Sequence, residues 1–302
     1  MRIAMIGLGR MGANMARRLC RAEIEVVGFN RSKDIIAQLA KEEGMLSATS
    51  IDDVIKQLPT PRIVWLMLPA GEITEHHIEV FSSKLDKNDI VIDGGNANYQ
   101  ESMRRGDLLK EKGIGYIDAG TSGGVWGLDN GYCMMVGGDT DHVKQIEPVL
   151  IALAPSPTEG WAHVGPIGAG HFSKMIHNGI EYGMMQAYAE GFALLKNKTE
   201  FNIDMAQVTE LWRHGSVVRS WLLDLCAEFL DDDQDLKDIA PFVADSGEGR
   251  WTVEESIKQG IAAPVLALAL QMRFASQDSD AYSNKLLAMM RNAFGGHNLK
   301  DK

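Results

Sequence analysis

The sequence predicts an α/β protein in which a doubly wound sheet domain is followed by an all-helical C-terminal domain. The chain has 302 residues, 45% of them hydrophobic, which suffices for two domains with cores of ordinary size. Short runs rich in Val and Ile alternate with amphipathic segments over the first half of the chain, as strands and helices do in α/β sheets. Beyond about residue 155 helical spacing continues and almost no strand pattern remains.

The predicted strands of the first domain are short apolar runs bounded by turn-forming residues, which is typical of buried strands. They are Arg2–Ile6, Glu25–Asn30, Arg62–Leu68, Asp89–Asp93, Gly115–Ala119 and Tyr132–Val136. Helical spacing between them predicts helices over Met11–Arg21, Lys33–Lys41, Ile73–Leu85, Ser102–Lys112 and Asp141–Leu153. Because strands and helices alternate, we expect a parallel sheet.

The helical half begins after a segment interrupted by Pro155, Pro157 and several glycines between residues 165 and 170. We therefore expect a first domain of residues 1–165 and a second of residues 166–302. The helices predicted for the second domain are Gly170–Lys196, Asp204–His214, Val218–Leu230, Thr252–Gly260, Ala263–Ser276 and Ala281–Phe294. The first of these helices is expected to connect the two domains.

Composition excludes several classes of protein. The formal charge is −11, which disfavours nucleic-acid binding because that depends on basic surface. No apolar stretch approaches the roughly 20 residues that a bilayer span needs, and no secretory signal is visible, so we expect a cytoplasmic protein without a membrane partner. The three cysteines are too widely spaced for a metal site or a disulfide framework, and no metal is expected: Cys20, Cys133 and Cys226.

A glycine-rich motif of the form G-x-G-x-x-G follows the first predicted strand and opens a helix. In that context it predicts a Rossmann-type dinucleotide site rather than a plain strand–helix turn, because the glycines let the backbone approach the pyrophosphate at the helix N-terminus. The motif is Gly7-Leu8-Gly9-Arg10-Met11-Gly12. Leu68, Pro69 and Ala70, at the end of the third predicted strand, are assigned to the same cofactor site.

The end of the second predicted strand bears on the choice of cofactor. An NAD site places a carboxylate there for the ribose hydroxyl, whereas this chain has Asn30, Arg31 and Ser32. A guanidinium and a hydroxyl suit the 2′-phosphate of NADP, so NADP is favoured. Arg31 stacked on the adenine would also allow NAD, which therefore stays open.

A polar stripe is predicted on the long helix of the second half. Lys174, His177, Asn178 and Glu181 stand at positions i, i+3, i+4 and i+7, so they share one helical face. The stripe is either a solvated face with a Lys–Glu pair or an active-site face that offers a base, an acid and two hydrogen-bonding groups.

Three further clusters favour the active-site interpretation. Two of them follow strands of the sheet, on the edge where open α/β folds bind ligands: Asp93-Gly94-Gly95-Asn96 and Gly120-Thr121-Ser122-Gly123-Gly124. The second could grip a carboxylate or be a simple flexible loop. The third is the C-terminal segment from Arg291 to His297, which is of interest only if a ligand or a second subunit holds it.

These motifs together resemble the 6-phosphogluconate dehydrogenases, in particular the shorter bacterial-type members. The resemblance covers essentially the whole chain and is carried by the glycine motif, Ile92–Asn96, Ser122–Gly124, Lys174–Tyr182, Gly249–Thr252, Arg273 and Phe294–His297. It implies oxidative decarboxylation of 6-phosphogluconate to ribulose 5-phosphate, within the pentose phosphate pathway or gluconate use. It also implies that Lys174 is the general base and Glu181 the general acid.

The resemblance further implies which residues bind the substrate. Those expected to hold the sugar acid are Asn96, which also lies in the cofactor site, Ser122, Gly123, Gly124, His177 and Asn178. Those expected around the phosphate are Tyr182, Arg273, Arg291 and His297, the last two from a tail that enters the site of the partner subunit in this family.

The chain departs from the longer family members in two respects. They carry a lysine just before the Gly-x-Trp-Thr string, where this chain has Asp245-Ser246-Gly247-Glu248. The helical half is also shorter, so the resemblance implies a homodimer, or a tetramer of two such dimers, that supplies the missing packing. Shorter members often use NAD, which opposes the argument from Arg31.

Two other functions stay open at this point. A 3-hydroxyisobutyrate-type β-hydroxyacid dehydrogenase would share the fold and the lysine but would not need an acid such as Glu181. A nonenzymatic dinucleotide-binding protein is the alternative from another class, since a fold does not fix a function.

Overall fold

The computed structural model describes residues 1–295 and 298–300, without the side chains of residues 294 and 295. The chain divides into two compact units, Met1–His177 and Asn178–Lys302. The division falls inside a long helix, and the domain limits expected at residue 165 stay a prediction.

The first unit is built on one eight-stranded sheet, in the order β3-β2-β1-β4-β5-β6-β7-β8. The strands from β3 to β6 follow the order of a Rossmann-type sheet. The chain adds β2 and β3 on one side of β1 and then adds β4, β5 and β6 on the other side, so the strand order reverses between β1 and β4. The strands are β1 (Arg2–Ile6), β2 (Glu25–Phe29), β3 (Leu46–Ser47), β4 (Ile63–Leu66), β5 (Ile90–Asp93), β6 (Gly115–Ser122), β7 (Cys133–Gly138) and β8 (Trp161–Gly165).

The expectation of a parallel sheet is wrong for one pair of strands. β7 runs antiparallel to β6, whereas every other pair of neighbours is parallel. The physical reason is the short link 123–132, which holds only a 3₁₀ turn and a four-residue helix. A parallel crossover needs about a dozen residues or more, usually with a full helix.

Helices cover both faces of this sheet. They are α1 (Arg10–Arg21), α2 (Lys33–Glu43), α3 (Ile51–Gln57), α4 (Glu72–Lys84), α5 (Tyr99–Lys110), α6 (Gly127–Asn130) and α7 (Thr140–Leu153). Successive residues of β1 point to opposite faces, so Ile3 packs into one buried layer and Ala4 into the other. The first layer includes residues of α1, α2 and α7, and the second includes residues of α3, α4 and α5. This two-sided core confirms the predicted doubly wound domain.

Four labelled elements of the first unit were not predicted, and the four-residue helix α6 is one of them. β3 has only two residues, and α3 is a short helix whose start is capped by Ser50, which accepts a hydrogen bond from the Asp53 N–H at 3.1 Å. β8 is the last strand of the sheet and none of its residues is fully buried, so it lacks the continuous apolar run of a central strand.

The rest of the chain is helical, as predicted. Its elements are α8 (Ala169–Asn197), α9 (Met205–Arg213), α10 (Trp221–Asp232), α11 (Glu248–Gln259), α12 (Pro264–Gln277) and α13 (Tyr282–Gly295). The second unit buries a small cluster formed by Tyr182, Ala269 and Leu270. Among the described helices none is both long and apolar enough to cross a bilayer.

Candidate active site

The glycine motif forms the turn from β1 to α1, and two of its glycines are required by packing. Gly7 has a φ of +91°, and a Cβ there would lie 2.3 Å from the Met67 carbonyl oxygen. A Cβ at Gly12 would lie 2.0 Å from the carbonyl oxygen of Gly7. A Cβ at Gly9 would meet nothing within 4 Å, so the middle of the turn faces open space. This is where a pyrophosphate can approach the first N–H groups of α1.

The end of β2 is tied to this turn. The Gly7 N–H donates to the Phe29 carbonyl at 2.9 Å, and the Leu8 N–H donates to the Asn30 side-chain oxygen at 3.1 Å. The side-chain oxygen of Asn30 therefore binds the backbone of the glycine turn. Arg31 and Ser32 follow it and are exposed.

Two further loops meet the glycine turn at the edge of the sheet. A Cβ added to Gly7 would lie 2.9 Å from a methyl group of Leu68, and one added to Gly95 would lie 2.5 Å from the Leu68 carbonyl oxygen. The loops after β1, β4 and β5 thus pack closely where the strand order reverses. Pro69, Ala70 and Asn96 are exposed beside them. Open α/β sheets bind nucleotides in the crevice at this point.

The start of α8 is anchored on β6 by a buried carboxylate. Asp118 accepts hydrogen bonds from the Gly168 N–H at 2.7 Å and the His171 N–H at 2.8 Å. The helix lies so close to the strand that a Cβ at Gly120 would be 2.4 Å from Cβ of Lys174. The position of Lys174 is therefore fixed by backbone packing and by a charge at the helix N-terminus.

Lys174 is a buried lysine, with 8% of its surface exposed. Its Nζ lies 3.5 Å from Nδ1 of the half-buried His177, one turn further along α8. The interpretation of this part of the stripe as a solvated face is wrong, because a solvated lysine would not be covered to this extent.

The loop after β6 contains the predicted Ser122-Gly123-Gly124 string. Ser122 ends the strand and pairs with Cys133 of β7. Gly123 and Gly124 have φ values of +137° and +52°, and a Cβ on Gly124 would meet nothing within 4 Å. Thr121, in the same segment, uses its hydroxyl to donate to the Ala119 carbonyl at 3.0 Å. The loop therefore offers backbone hydrogen-bonding groups and the Ser122 hydroxyl at the edge of the sheet.

In the second unit, Tyr182 and Arg273 lie against each other. The guanidinium carbon of Arg273 is 3.5 Å from the Tyr182 ring centroid, and Arg273 also donates to the Ala244 carbonyl at 2.7 Å. The Tyr182 hydroxyl lies 3.3 Å from a carboxylate oxygen of Asp245 and 3.3 Å from the Ser246 hydroxyl. Asn178 and Glu181 are half-buried on α8.

Asp245 brings a second arginine into this cluster, which sequence reasoning missed. Its carboxylate accepts from Arg250, whose guanidinium also lies 4.3 Å from the Phe274 ring centroid. Burial by itself would raise the pKa of Asp245, but the Gly247 N–H and Arg250 lower it below its ordinary value. Arg250 stands inside the Gly249–Thr252 string, so its position in that motif was the available signal.

The other two predicted phosphate-side residues are not seen in contact with this cluster in the described part of the chain. Arg291 is exposed on α13, and no hydrogen bond or ring contact joins it to Tyr182 or Arg273 among the described residues. His297 lies outside the described residues.

The strand order and the glycine turn define a nucleotide-binding α/β protein, and the two halves match two sequence families. Residues 2–165 match the NAD binding domain of 6-phosphogluconate dehydrogenase, and residues 170–300 match the C-terminal domain of 6-phosphogluconate dehydrogenase. The chain belongs to the 6-phosphogluconate dehydrogenase family and is an NAD(P)-dependent oxidoreductase.

Individual relatives agree with this assignment. The chain is 42% identical to YqeC of Bacillus subtilis (strain 168), which is named provisionally as a 6-phosphogluconate dehydrogenase, over 100% of both chains. It is 39% identical to the NAD(+)-dependent, decarboxylating 6-phosphogluconate dehydrogenase of Haloferax volcanii, over 100% of this chain and 99% of that one. Its fold is similar to that of Plasmodium falciparum 6-phosphogluconate dehydrogenase, with a TM-score of 0.85, 29% identity, and coverage of 100% of this chain and 66% of that chain.

Proposed function

We propose that this protein catalyses the oxidative decarboxylation of 6-phosphogluconate to ribulose 5-phosphate and CO₂, with reduction of NAD(P)⁺. The observation that carries the proposal is the buried Lys174, held on the backbone of β6 at Gly120 by the Asp118-capped start of α8. A lysine fixed in this way, on a chain whose glycine turn fits a dinucleotide, supplies the base that the oxidation of an alcohol requires.

Lys174 takes the proton of the C3 hydroxyl group during the oxidation. A buried amine can be held neutral at less cost than an exposed one, because burial penalises its charged form. NAD(P)⁺, when bound at the glycine turn, would supply the acceptor for the hydride from C3. The product of this step is a β-keto acid, which loses CO₂ because the new carbonyl group accepts the electrons of the broken bond.

Glu181 supplies the proton that completes the reaction. It stands two turns after Lys174 on α8 and is half-buried. Loss of CO₂ leaves an enediol, and a protonated carboxyl group delivers a proton to its C1 to give ribulose 5-phosphate. A 3-hydroxyisobutyrate-type oxidation has no such step, so this acid favours the decarboxylating reaction.

The remaining predicted residues bind the substrate in this proposal. Asn96, Ser122, Gly123, Gly124, His177 and Asn178 hold the sugar acid through their hydrogen-bonding groups. The phosphate is bound near Tyr182 and Arg273, with Arg291 and His297 of a partner subunit. Longer family members have a phosphate-side lysine where this chain has Ser246. In this proposal Arg250 supplies part of that positive charge, because it pairs with Asp245, the residue before Ser246.

NADP is the cofactor that the end of β2 favours. The turn fits a dinucleotide, since Gly9 faces open space at the start of α1. Asn30 is bound to the turn through the Leu8 N–H and is uncharged, so it does not supply the carboxylate that an NAD site places at the end of this strand. The exposed Arg31 and Ser32 offer a guanidinium and a hydroxyl to a 2′-phosphate.

The experiment that tests substrate and cofactor together is a set of kcat/KM values. The full chain and its Arg31→Ala variant are assayed on 6-phosphogluconate with NADP and NAD, and on 3-hydroxyisobutyrate in parallel. Removal of one charge-assisted phosphate contact costs roughly tenfold or more, so Arg31→Ala should lose at least that in kcat/KM for NADP and little for NAD.

The matched control is Arg21→Ala, which removes an exposed arginine that pairs with Glu43 at the far end of α1. It should leave both cofactors unchanged. Turnover of 3-hydroxyisobutyrate alone would contradict the proposed reaction. An equal loss for NADP and NAD in Arg31→Ala would contradict the cofactor preference.

The active form in this proposal is a cytoplasmic homodimer, alone or paired into a tetramer. α12 carries an exposed apolar stripe of Val265, Leu268 and Met272 at i, i+3 and i+7, which a second copy would cover. Sedimentation should give a dimer or tetramer mass for the native chain, and Leu268→Asp should shift it towards the monomer. A native chain that sediments as a monomer at micromolar concentration would contradict this assembly.

A further inference from the structure

The first unit contains a buried ion pair that the proposed reaction does not use. Asp93 is the last residue of β5 and Arg105 lies on α5, and neither exposes more than 2% of its surface. Nη1 of Arg105 is 3.2 Å from a carboxylate oxygen of Asp93. Withdrawal of two charges from water is costly, so a buried ion pair is weak evidence for a gain in stability. Its position relative to the cofactor site indicates another role.

The carboxylate of Asp93 holds the loop that follows β5. One of its oxygens accepts a hydrogen bond from the Gly95 N–H at 3.2 Å. The other accepts from Arg105 at 3.2 Å and from the Tyr116 hydroxyl at 3.1 Å. Gly95 is followed directly by Asn96, which the proposed function places in the cofactor and substrate sites. The position of that loop therefore depends on where the Asp93 carboxylate is held.

Arg105 also binds a second carboxylate. Its Nε donates to Glu75 at 3.0 Å, and Glu75 lies in the first turn of α4 with 27% of its side chain exposed. A guanidinium presents its donors in a fixed, planar fork, so one arginine can hold two carboxylates at a set separation. Arg105 therefore joins the end of β5 to the start of α4.

The start of α4 is bound in turn to the loop that follows β4. The hydroxyl of the buried Thr74 donates to the Pro69 carbonyl at 2.8 Å. The Glu75 N–H donates to the Gly71 carbonyl at 3.0 Å. Pro69 is one of the residues assigned to the cofactor site, so the contacts of Arg105 lead to a cofactor loop on each side.

We propose that Arg105 is a positioning residue for the cofactor site. By binding Glu75 and Asp93 together, it fixes the spacing between the loop that carries Pro69 and the loop that carries Asn96. This inference rests on the cofactor site of the proposed function. A dinucleotide that contacts both loops binds more tightly when their spacing is fixed in advance, because less ordering is then needed on binding.

The test compares two neighbouring arginines of α5 that bind the same glutamate. Arg105→Lys keeps a positive charge beside Asp93 but loses the fork that reaches both carboxylates. Arg104→Lys is the matched control, because Arg104 is half-exposed and binds Glu75 and Glu101 at the surface. The measured quantity is the Kd of NADH or NADPH, whichever the native protein binds more tightly, from titration of the fluorescence of the reduced cofactor.

The two variants should differ in cofactor affinity. Arg105→Lys should raise Kd about tenfold, which corresponds to the loss of one charged hydrogen bond, whereas Arg104→Lys should stay within about twofold of the native value. A merely structural role would lower the melting temperature of Arg105→Lys and leave unchanged a Kd measured well below that temperature. A native Kd in Arg105→Lys, or an equal loss in both variants, would overturn the proposal.

A second variant breaks the same bridge at its other end. Glu75→Ala leaves Asp93 paired with Arg105, so no buried charge loses its partner and the protein should fold. It should raise Kd as much as Arg105→Lys does, and the Glu75→Ala/Arg105→Lys protein should stay within about twofold of the weaker single variant. Arg104→Ala, which removes the surface partner of Glu75, is the control and should have native affinity. Multiplication of the two losses in the double variant would overturn the proposal.

Steady-state kinetics separates this inference from the proposed reaction. On 6-phosphogluconate, Arg105→Lys should raise the KM of the cofactor about tenfold and lower kcat by less than about threefold, since the lost contact affects cofactor binding. A loss of kcat with an unchanged cofactor KM would overturn the proposal. A native protein that binds the reduced cofactor but does not turn over 6-phosphogluconate would contradict the proposed function, and the Kd values would still decide the role of Arg105.

Discussion

The two units of this protein differ in how much of their own apolar surface they bury. The first unit covers both faces of its sheet, so that large side chains such as Trp65 and Phe81 are completely buried. In the second unit, helical residues such as Leu194 and Val265 are exposed by 75% and 66%. A helix that is apolar on a solvent-facing side is stabilised by another surface. The nucleotide-binding unit therefore has a core of its own, whereas the helical unit leaves apolar surface that the proposed homodimer would cover.

The polar residues of the two units also differ in how deeply they are buried. In the first unit Asp93 and its two donors, Arg105 and Tyr116, each expose no more than 2% of their surface. In the second unit Tyr182, Asp245, Arg250 and Arg273 form a cluster at which both arginines retain access to solvent. The first unit thus holds its polar side chains in its interior, whereas the second leaves two arginines accessible to solvent.

The largest expected effect concerns the base in the first unit. Lys174→Met should lower kcat by about 10³-fold, because it removes the proposed general base, while cofactor affinity stays near native. Steady-state kinetics and cofactor titration by fluorescence measure the two quantities. Lys144→Met, an exposed lysine on α7, is the control and should have native kcat. Retention of more than a few per cent of kcat in Lys174→Met would contradict the assignment of the base.

The second unit should contribute a different step of the same reaction. Glu181→Gln should lower steady-state kcat by about 10²-fold, since a general acid contributes about that much. Reduced cofactor should still form in the first turnover, because the oxidation precedes protonation of the enediol. Stopped-flow absorbance distinguishes the burst from the slow steady state. Glu190→Gln, on an exposed turn of the same helix, is the control; absence of the burst would place Glu181 in the oxidation instead.

Core substitutions should show the difference between the units directly. Leu39→Ala removes a fully buried side chain of α2 and should lower the free energy of unfolding by about 2–5 kcal/mol at any protein concentration. Leu268→Ala, at a half-exposed position of α12, should have an effect that depends on protein concentration, since its packing comes from a second copy. Thermal unfolding across a hundredfold range of concentration measures both. A concentration-independent loss in Leu268→Ala would contradict the contrast between the units.

The smallest expected effect is the acid sensitivity of the second unit. Asp245 has a lowered pKa in the folded state, so its ion pair with Arg250 stabilises the fold above the unfolded carboxyl pKa of about 3.9 and is lost as the pH falls through the lower folded value. Between pH 5 and 3 the melting temperature of the native protein should fall about 2 °C further than that of Asp245→Asn. Asp129→Asn, an exposed aspartate of the first unit, should follow the native curve. Identical curves of melting temperature against pH for all three proteins would show that the Asp245–Arg250 ion pair does not contribute to stability.

Local patterns were sufficient for much of the fold and part of the site. The glycine turn, the strand and helix alternation and the stripe on α8 depend on residues close together in sequence, so periodicity and turn chemistry reveal them. The strand β7 was predicted, but its antiparallel direction was not, because that direction depends on the length of the preceding connection. The edge strand β8 was not predicted, because it has no continuous apolar run. Arg250 belongs to the Gly249–Thr252 motif, but no motif predicts its ion pair with Asp245, which brings it into the cluster.

The sequence by itself determined most of the alternation of strands and helices, the dinucleotide turn and the polar stripe on α8, because these depend on short-range spacing; the roles of the base and the acid were implied by the family resemblance. Only the tertiary structure decided that Lys174 is buried, that Asn30 is bound to the turn, that Tyr116 donates to Asp93, and that Ser102 contacts His171. Burial and hydrogen-bond partners depend on which distant segments the sheet brings together. The hydroxyl of Ser102 and the imidazole of His171 are 69 positions apart in sequence and 2.6 Å apart in the fold.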